Sequence, residues 1–297
     1  MFSQSQKLTE SAARFLISPS INPPQRTQPE SESSMSTRFT NPLKHKLQAG
    51  ERTVGAWLQL ASPLTAEIMS RAGFDWLMID MEHGPGDIMT LIAQLQAMNG
   101  SNVTGLVRTP WNDFVMIKRI LDAGAAGVLV PYVNTQAEAE AAVRACKYPP
   151  AGVRGIAGSP RAAGYGQAIM DYLRHANDEI FVMTAVETPT AVANLDAILT
   201  VPGLDAIFIG PMDLATSMGY FGDPSQPAVQ SVIGEIETKV LASGKALGTI
   251  ANAWEQAERL YARGYQMVMV MADGTALAKT AAEAVARFRA LPGAGDG

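Results

Sequence analysis

The sequence predicts an α/β protein whose eight parallel strands close into a (β/α)8 barrel. Three observations carry that reading. Eight short apolar runs recur between helical segments: Val54 to Leu60, Trp76 to Met81, Val103 to Arg108, Gly127 to Pro131, Val182 to Glu187, Ala206 to Gly210, Ala246 to Ile250 and Met267 to Met271. Each suits a strand buried on both faces of a parallel sheet. The intervening helices often close on glycine, at Gly73, Gly124, Gly203, Gly244 and Gly264, where a left-handed C-terminal residue is favoured. The first run leads into Leu60-Ala61-Ser62-Pro63 and not a Gly-rich phosphate turn, which disfavours an open doubly wound sheet. Eight such units in about 250 residues match a TIM barrel.

Taken in order, the chain starts with a segment unlike the rest. Residues 1–40 are rich in Ser, Gln, Pro and Thr, with few large apolar residues together and charges of both signs. Such a composition buries too little surface to offset the entropy of ordering, so a disordered extension is expected. Met35-Ser36-Thr37-Arg38 reads as a more ordinary start, so the residues before it are also open to being untranslated. The segment lacks the basic start and long apolar core of a secretory signal. Residues 41–297 form the barrel domain. A helix from Asn41 stops at Gly50; others are expected at Pro63 to Ala72, Ile88 to Met98, Trp111 to Ala123, Gln136 to Lys147, Ala191 to Leu199, Gln226 to Ser243 and Ala253 to Arg263. The Pro- and Gly-rich stretch between Lys147 and Phe181 is longer than an ordinary connection, and suits either a surface insertion or a segment reaching the barrel mouth or a neighbouring subunit.

Composition narrows the function. The chain has 297 residues, 47% of them hydrophobic and 17% charged, with a formal net charge of -5. It has no Lys/Arg-rich run, which argues against a nucleic-acid partner. It has no apolar stretch near 18 residues, which argues against a membrane span. The single cysteine, Cys146, permits no internal disulfide and reads as packed on a helix. A reducing, cytoplasmic setting is expected.

Ligands in parallel α/β folds bind at the C-terminal ends of the strands. Two consecutive strand ends carry a carboxylate, Glu187 and Asp213. Together they suit a hard divalent cation; separately each suits a helix cap. Of the three histidines, His45, His83 and His175, only His83 lies at a strand end, in Asp80-Met81-Glu82-His83-Gly84-Pro85. It suits a general base whose ring is held by Asp80 or another carboxylate, or a structural loop histidine. Arg108 ends the third strand, placed either to polarise a substrate oxygen or to pair with a barrel carboxylate. Gly210-Pro211-Met212-Asp213 opens a helix whose free N–H groups suit a substrate carboxylate. The chemistry that fits is proton abstraction beside a metal-bound carbonyl, as when a pyruvate unit chelates the cation. The strand runs hold no lysine, which disfavours a Schiff base.

At these residues the sequence resembles the HpcH/HpaI family of class II pyruvate aldolases. The matching segments are Ala72-Gly73-Phe74-Asp75-Trp76-Leu77, Asp80 with Glu82-His83, Arg108, Trp111-Asn112-Asp113, Tyr148-Pro149-Pro150 with Gly152-Val153-Arg154-Gly155, Glu187-Thr188, and Ile209-Gly210-Pro211 with Asp213-Leu214. The resemblance implies a barrel of the phosphoenolpyruvate/pyruvate-domain type. It implies an aldolase that cleaves a 4-hydroxy-2-oxo acid to pyruvate and an aldehyde. Glu187 and Asp213 are then ligands of Mg2+ or Mn2+, and His83 the acid/base residue supported by Asp80 or Asp122. Arg108 binds the pyruvyl oxygen, and Gly210, Pro211, Met212 and Asp213 the substrate carboxylate. It also implies a homo-hexamer whose barrels exchange a C-terminal helix, here Leu277 to Leu291. A CoA-ester lyase of the citrate lyase β or malyl-CoA type, or an oxo-acid decarboxylase, is the alternative on the same barrel. Well-known members have Gly where this chain has Met81, Gln where it has Ala185, and a smaller residue where it has Met212.

Overall fold

Each strand starts shortly after a residue that has just ended a helix, and each ends where polar or turn residues resume. A computed structural model describes residues 39–292; the expected N-terminal extension, residues 1–38 of it, lies outside them. The described residues cluster as one unit. Its strands are β1 (Thr53–Leu58), β2 (Trp76–Asp80), β3 (Thr104–Arg108), β4 (Gly127–Val130), β5 (Phe181–Val186), β6 (Ala206–Ile209), β7 (Ala246–Ile250) and β8 (Met267–Ala272). They pair in parallel in chain order, and β8 closes on β1. The helices are α1 (Pro42–Gln48), α2 (Pro63–Ser70), α3 (Ile88–Ala97), α4 (Phe114–Asp122), α5 (Gln136–Cys146), α6 (Ile169–Glu179), α7 (Pro189–Ala193), α8 (Leu195–Leu199), α9 (Pro211–Ser217), α10 (Pro227–Ser243), α11 (Trp254–Ala262) and α12 (Asp273–Arg289). The barrel expected from the sequence is therefore present. All five helix-ending glycines have positive φ.

Strand alternation sorts side chains into two cores. Trp76 and Met78 of β2, Leu106 of β3, Phe181, Met183 and Ala185 of β5, and Ala206 and Phe208 of β6 fill the barrel. Leu77, Ile79, Val107, Val182, Val186 and Ile207 pack outward against the helices. The same parity carries Asp80, Arg108, Glu187 and Gly210 to the top of the interior. Gly55 of β1 makes room for the indole of fully buried Trp76, since a Cβ there would lie 2.4 Å from ring atoms.

The base of the barrel is closed by α1. Pro42 starts it with a preset φ, and Asn41 caps it by accepting the Lys44 N–H. Leu43 and Leu47 enter the interior core from below. Fully buried Asn41 also donates from Nδ2 to the carbonyls of Ala126 (2.9 Å) and Glu179 (3.0 Å), and its N–H donates to Glu179 Oε2 (2.7 Å). Lys44 reaches Asp205 at 3.0 Å.

Two expectations about the helices need correction. The segment Ala191 to Leu199 is two short helices, because Asn194 leaves helical geometry and donates from Nδ2 to the Asn134 carbonyl (2.9 Å). The helix expected from Trp111 starts only at Phe114, because Asp113 caps it by accepting the Met116 N–H at 2.7 Å. In the stretch between Lys147 and Phe181, Arg154 is buried between the rings of Tyr148 and Tyr172. Arg161 donates to the Ala123 carbonyl at 2.8 Å, which fastens the segment near the start of β4. Among the described residues no helix is long and apolar enough to cross a membrane.

The buried polar set at the base makes Asn41 costly to lose. Asn41→Ala removes a cap and leaves buried carbonyls without donors, so a loss of about 2–4 kcal/mol is expected. Urea unfolding followed by circular dichroism measures it. Lys46→Ala, which removes a partly exposed ion pair with Asp75, is expected to cost under about 1 kcal/mol.

Candidate active site

At the mouth, adjacent strands place opposite charges side by side. Asp80 and Arg108 are register partners on β2 and β3. Arg108 donates from Nε to Asp80 Oδ1 (3.0 Å) and from Nη2 to Oδ2 (2.6 Å). Its Nη1 lies 3.1 Å from Glu82 Oε2, and its guanidinium sits 4.3 Å above the Trp57 ring. Asp80 Oδ1 also accepts the N–H groups of Glu82 and His83, both at 3.1 Å, and Oδ2 accepts Gln59 Nε2 at 3.0 Å. Burial pushes the Asp80 carboxyl up, but the hydrogen bonds and charge of Arg108, with Gln59 and the His83 amide, outweigh it and hold the group below its ordinary value. Asp80 therefore holds the backbone at His83. The His83 ring is largely exposed, and its Nε2 is 3.9 Å from Glu82 Oε2. The expectation that Asp80 clamps the imidazole is corrected: its oxygens are already taken by Arg108, Gln59 and two amides.

Glu187 follows β5 and points into the mouth, 4% exposed. Its Oε2 accepts the Tyr132 N–H at 3.2 Å. Its carbonyl accepts Ser217 Oγ at 3.0 Å, tying α9 to the β5 loop. Asp213 lies in the first turn of α9. Burial, then the charges of Asp213 and Glu82, push the Glu187 carboxyl up to about 7 against the opposing Tyr132 amide and Arg108. Glu82 is raised too, first by burial and then by Asp80 and Asp213. So four carboxylates share the mouth and one guanidinium pairs with two of them, Asp80 and Glu82, a donor set with excess negative charge that a divalent cation would relieve. Among the described residues no three His, Cys, Asp or Glu side chains form a ready metal cage. A pair of carboxylates completed by water and substrate oxygens is, however, the usual way Mg2+ is held in catalytic sites. Gly210 shapes this pocket, because a Cβ there would lie 2.6 Å from Glu187 Oε1.

Two candidates stand elsewhere. Asp122 ends α4, near the start of β4, and pairs with Arg154 Nη2 at 2.7 Å; within one chain it is not brought to His83. The lysines that a Schiff base would need are also away from the mouth. Lys147, which burial lowers to about 8, donates to the carbonyls of Asn177 and Ile180, and Lys245 donates to those of Val201 and Leu204.

The sequence profile of the HpcH/HpaI aldolase/citrate lyase family matches residues 53–280. The chain belongs to the HpcH/HpaI aldolase family. A 4-hydroxy-2-oxo-heptane-1,7-dioate aldolase of Escherichia coli is 44% identical over 250 residues, covering 84% of this chain and 95% of its own. The crystal structure of a family protein from Burkholderia cenocepacia is 36% identical, with a TM-score of 0.82, covering 84% of this chain and 100% of that one. An HpcH/HpaI aldolase from Desulfitobacterium hafniense is 31% identical, with a TM-score of 0.80, covering 86% and 99%. Citrate-lyase-like structures are more distant. This aldolase is a carbon–carbon lyase of the class II pyruvate type, and its family depends on a divalent metal.

Several groups of the aldolase's mouth escape a sequence reading. Trp57 and Gln59 face inward by the parity of β1, a signal that was available from Gly55 onward. Glu82 stands within the Asp80–His83 motif but reads there only as a neighbour. The Tyr132 amide on Glu187 has no sequence signal. Met81 joins the outer core against the helices, so the departure there alters packing, whereas Ala185 faces the barrel interior.

Gly210→Ala is expected to displace the Glu187 carboxylate and lower metal-dependent turnover about 10–100-fold with the fold intact. Steady-state kinetics against Mn2+ concentration, with a thermal melt as control, measure it.

Proposed function

We propose that this chain cleaves a 4-hydroxy-2-oxo acid into pyruvate and an aldehyde, using Mg2+ or Mn2+ held by Glu187 and Asp213. The observation that carries this is the grouping of Glu187, Asp213 and Glu82 at the barrel mouth, where Arg108 pairs with Glu82. A divalent cation bound there supplies Lewis-acid stabilisation of the oxygen that gains charge as the C3–C4 bond breaks. Arg108 contacts its carboxylate partners through three of its five N–H-bearing directions, leaving donors for the pyruvyl oxygen. The amides of Met212 and Asp213, in the first turn of α9 where no helical carbonyl precedes them, receive the substrate carboxylate beside Gly210 and Pro211. His83, exposed at the rim, takes the proton of the C4 hydroxyl through a water as the aldehyde forms. C3 of the pyruvate fragment then takes up a proton.

The physiological form we propose is a homo-oligomer, a hexamer. Of α12 only Asp273 is buried, while its Leu277, Val285 and Phe288, and Leu291 just beyond it, face solvent. Such a face suits seating on a neighbouring barrel. Asp122, distant from His83 in its own chain, supports a histidine only across such a contact. A buried Cys146, its thiol pushed up by burial to about 12, fits the reducing cytoplasmic setting.

Oxaloacetate decarboxylation tests the site without the natural aldehyde. Turnover is expected with Mn2+ or Mg2+, to vanish with EDTA, and to fall at least about 100-fold in Glu187→Gln. Undiminished turnover in EDTA would sink the assignment. His83→Asn is expected to slow aldol cleavage about 10²–10⁴-fold. Light scattering after size exclusion should find a hexamer that Leu277→Asp with Phe288→Asp breaks into smaller species; a monomeric wild type would refute the assembly.

A further inference from the structure

The loop after β4 holds an aromatic residue in a backbone shape that aromatic residues avoid. Tyr132 has φ 52°, the left-handed region, which persists only where surrounding contacts enforce it. Its N–H donates to Glu187 Oε2 at 3.2 Å, and its carbonyl accepts Asn134 Nδ2 at 3.0 Å. Asn134 Oδ1 accepts the Thr188 hydroxyl, and the Asn134 carbonyl accepts Asn194 Nδ2 at 2.9 Å. The loops after β4 and β5 are thus fastened together, and residue 132 is fixed.

The result of that fixation is a ring in a defined place. Tyr132 stacks on Trp111, with centroids 6.0 Å apart and planes 27° from parallel. Trp111 comes from the loop after β3, which Asn112 anchors by donating from Nδ2 to the Glu138 carbonyl at 2.9 Å. Trp111 remains 57% exposed, so the pair is not a core contact. One of its members touches, through its backbone, the carboxylate proposed to hold the metal.

We infer that Trp111 and Tyr132 form the subsite for the aldehyde half of the substrate and select a flat, uncharged, aromatic aldehyde. The inference rests on the pyruvate aldolase reading above and adds the class of the second product. Stacking on an open aromatic face favours a planar group. Neither ring carries a positive charge to receive an anionic tail such as that of a semialdehyde. Trp111 and Tyr132 act here as specificity-determining residues; neither moves a proton.

The test is aldol addition of pyruvate to benzaldehyde, acetaldehyde and succinic semialdehyde by the Mg2+-loaded enzyme. Benzaldehyde is expected to show the highest kcat/KM. In Trp111→Leu, and in Tyr132→Asn, which tolerates the left-handed backbone, KM for benzaldehyde should rise about 5- to 10-fold relative to acetaldehyde. Saturation-transfer NMR on the metal-free protein adds a readout independent of turnover: signal on the benzaldehyde ring protons should weaken in Trp111→Leu. A wild type that prefers succinic semialdehyde, or variants with unchanged aldehyde ratios, overturns the subsite. If the wild type decarboxylates oxaloacetate while those ratios stay flat, the subsite alone fails. If it does neither, the aldolase reading fails with it. An altered oligomeric state with an unchanged ratio assigns Trp111 to assembly and also overturns the proposal.

Discussion

The mouth of this barrel depends on one buried ion pair. Asp80 and Arg108 face each other from neighbouring strands in register, so strand pairing itself sets their separation. A buried pair of this kind contributes little net stability, since desolvation offsets the attraction, but losing one partner leaves an uncompensated charge. What the pair supplies is position. With Arg108 engaged, Asp80 fixes the amides of Glu82 and His83, and Arg108, its guanidinium over the Trp57 ring, in turn holds the Glu82 carboxylate. A lysine would make one contact where the guanidinium makes three, so the fork geometry is what orders the loop.

Beyond that pair the mouth is electrostatically unbalanced. Glu187 and Glu82 are both raised, first by burial and then by neighbouring carboxylates, so ionising all of them together is unfavourable in the isolated protein. Folding tolerates this because the barrel interior below, from Trp76 to Phe208, supplies the apolar burial. The imbalance matches a family that depends on a divalent metal.

The barrel was legible because its signals are periodic and local. Strand ends fell within two residues of those expected, which is why Asp80, Arg108 and Glu187 could be assigned to the C-terminal mouth from the sequence. Less was legible where side chains answer the backbone at a distance. The break at Asn194 arises from a bond to Asn134, 60 residues away. The contacts of Asp80 depend on Arg108 of β3 and on Gln59 just past β1. The left-handed turn at Tyr132 is held by bonds to Glu187 and Asn134, not by its own residue type. Asp122 could be named from resemblance, but its ion pair with Arg154 could not.

The plug formed by α1 gives the fold a division of labour. Leu43, Leu47, Asn41 and Lys44 seal one end through contacts that involve none of the mouth residues. Substitutions in the loops after β3, β4 and β5 therefore fall on a rim whose changes need not propagate to the seal. Such a molecule can drift in what it accepts while its ability to fold stays under separate selection, so relatives of one architecture can diverge in substrate without passing through unfolded ancestors.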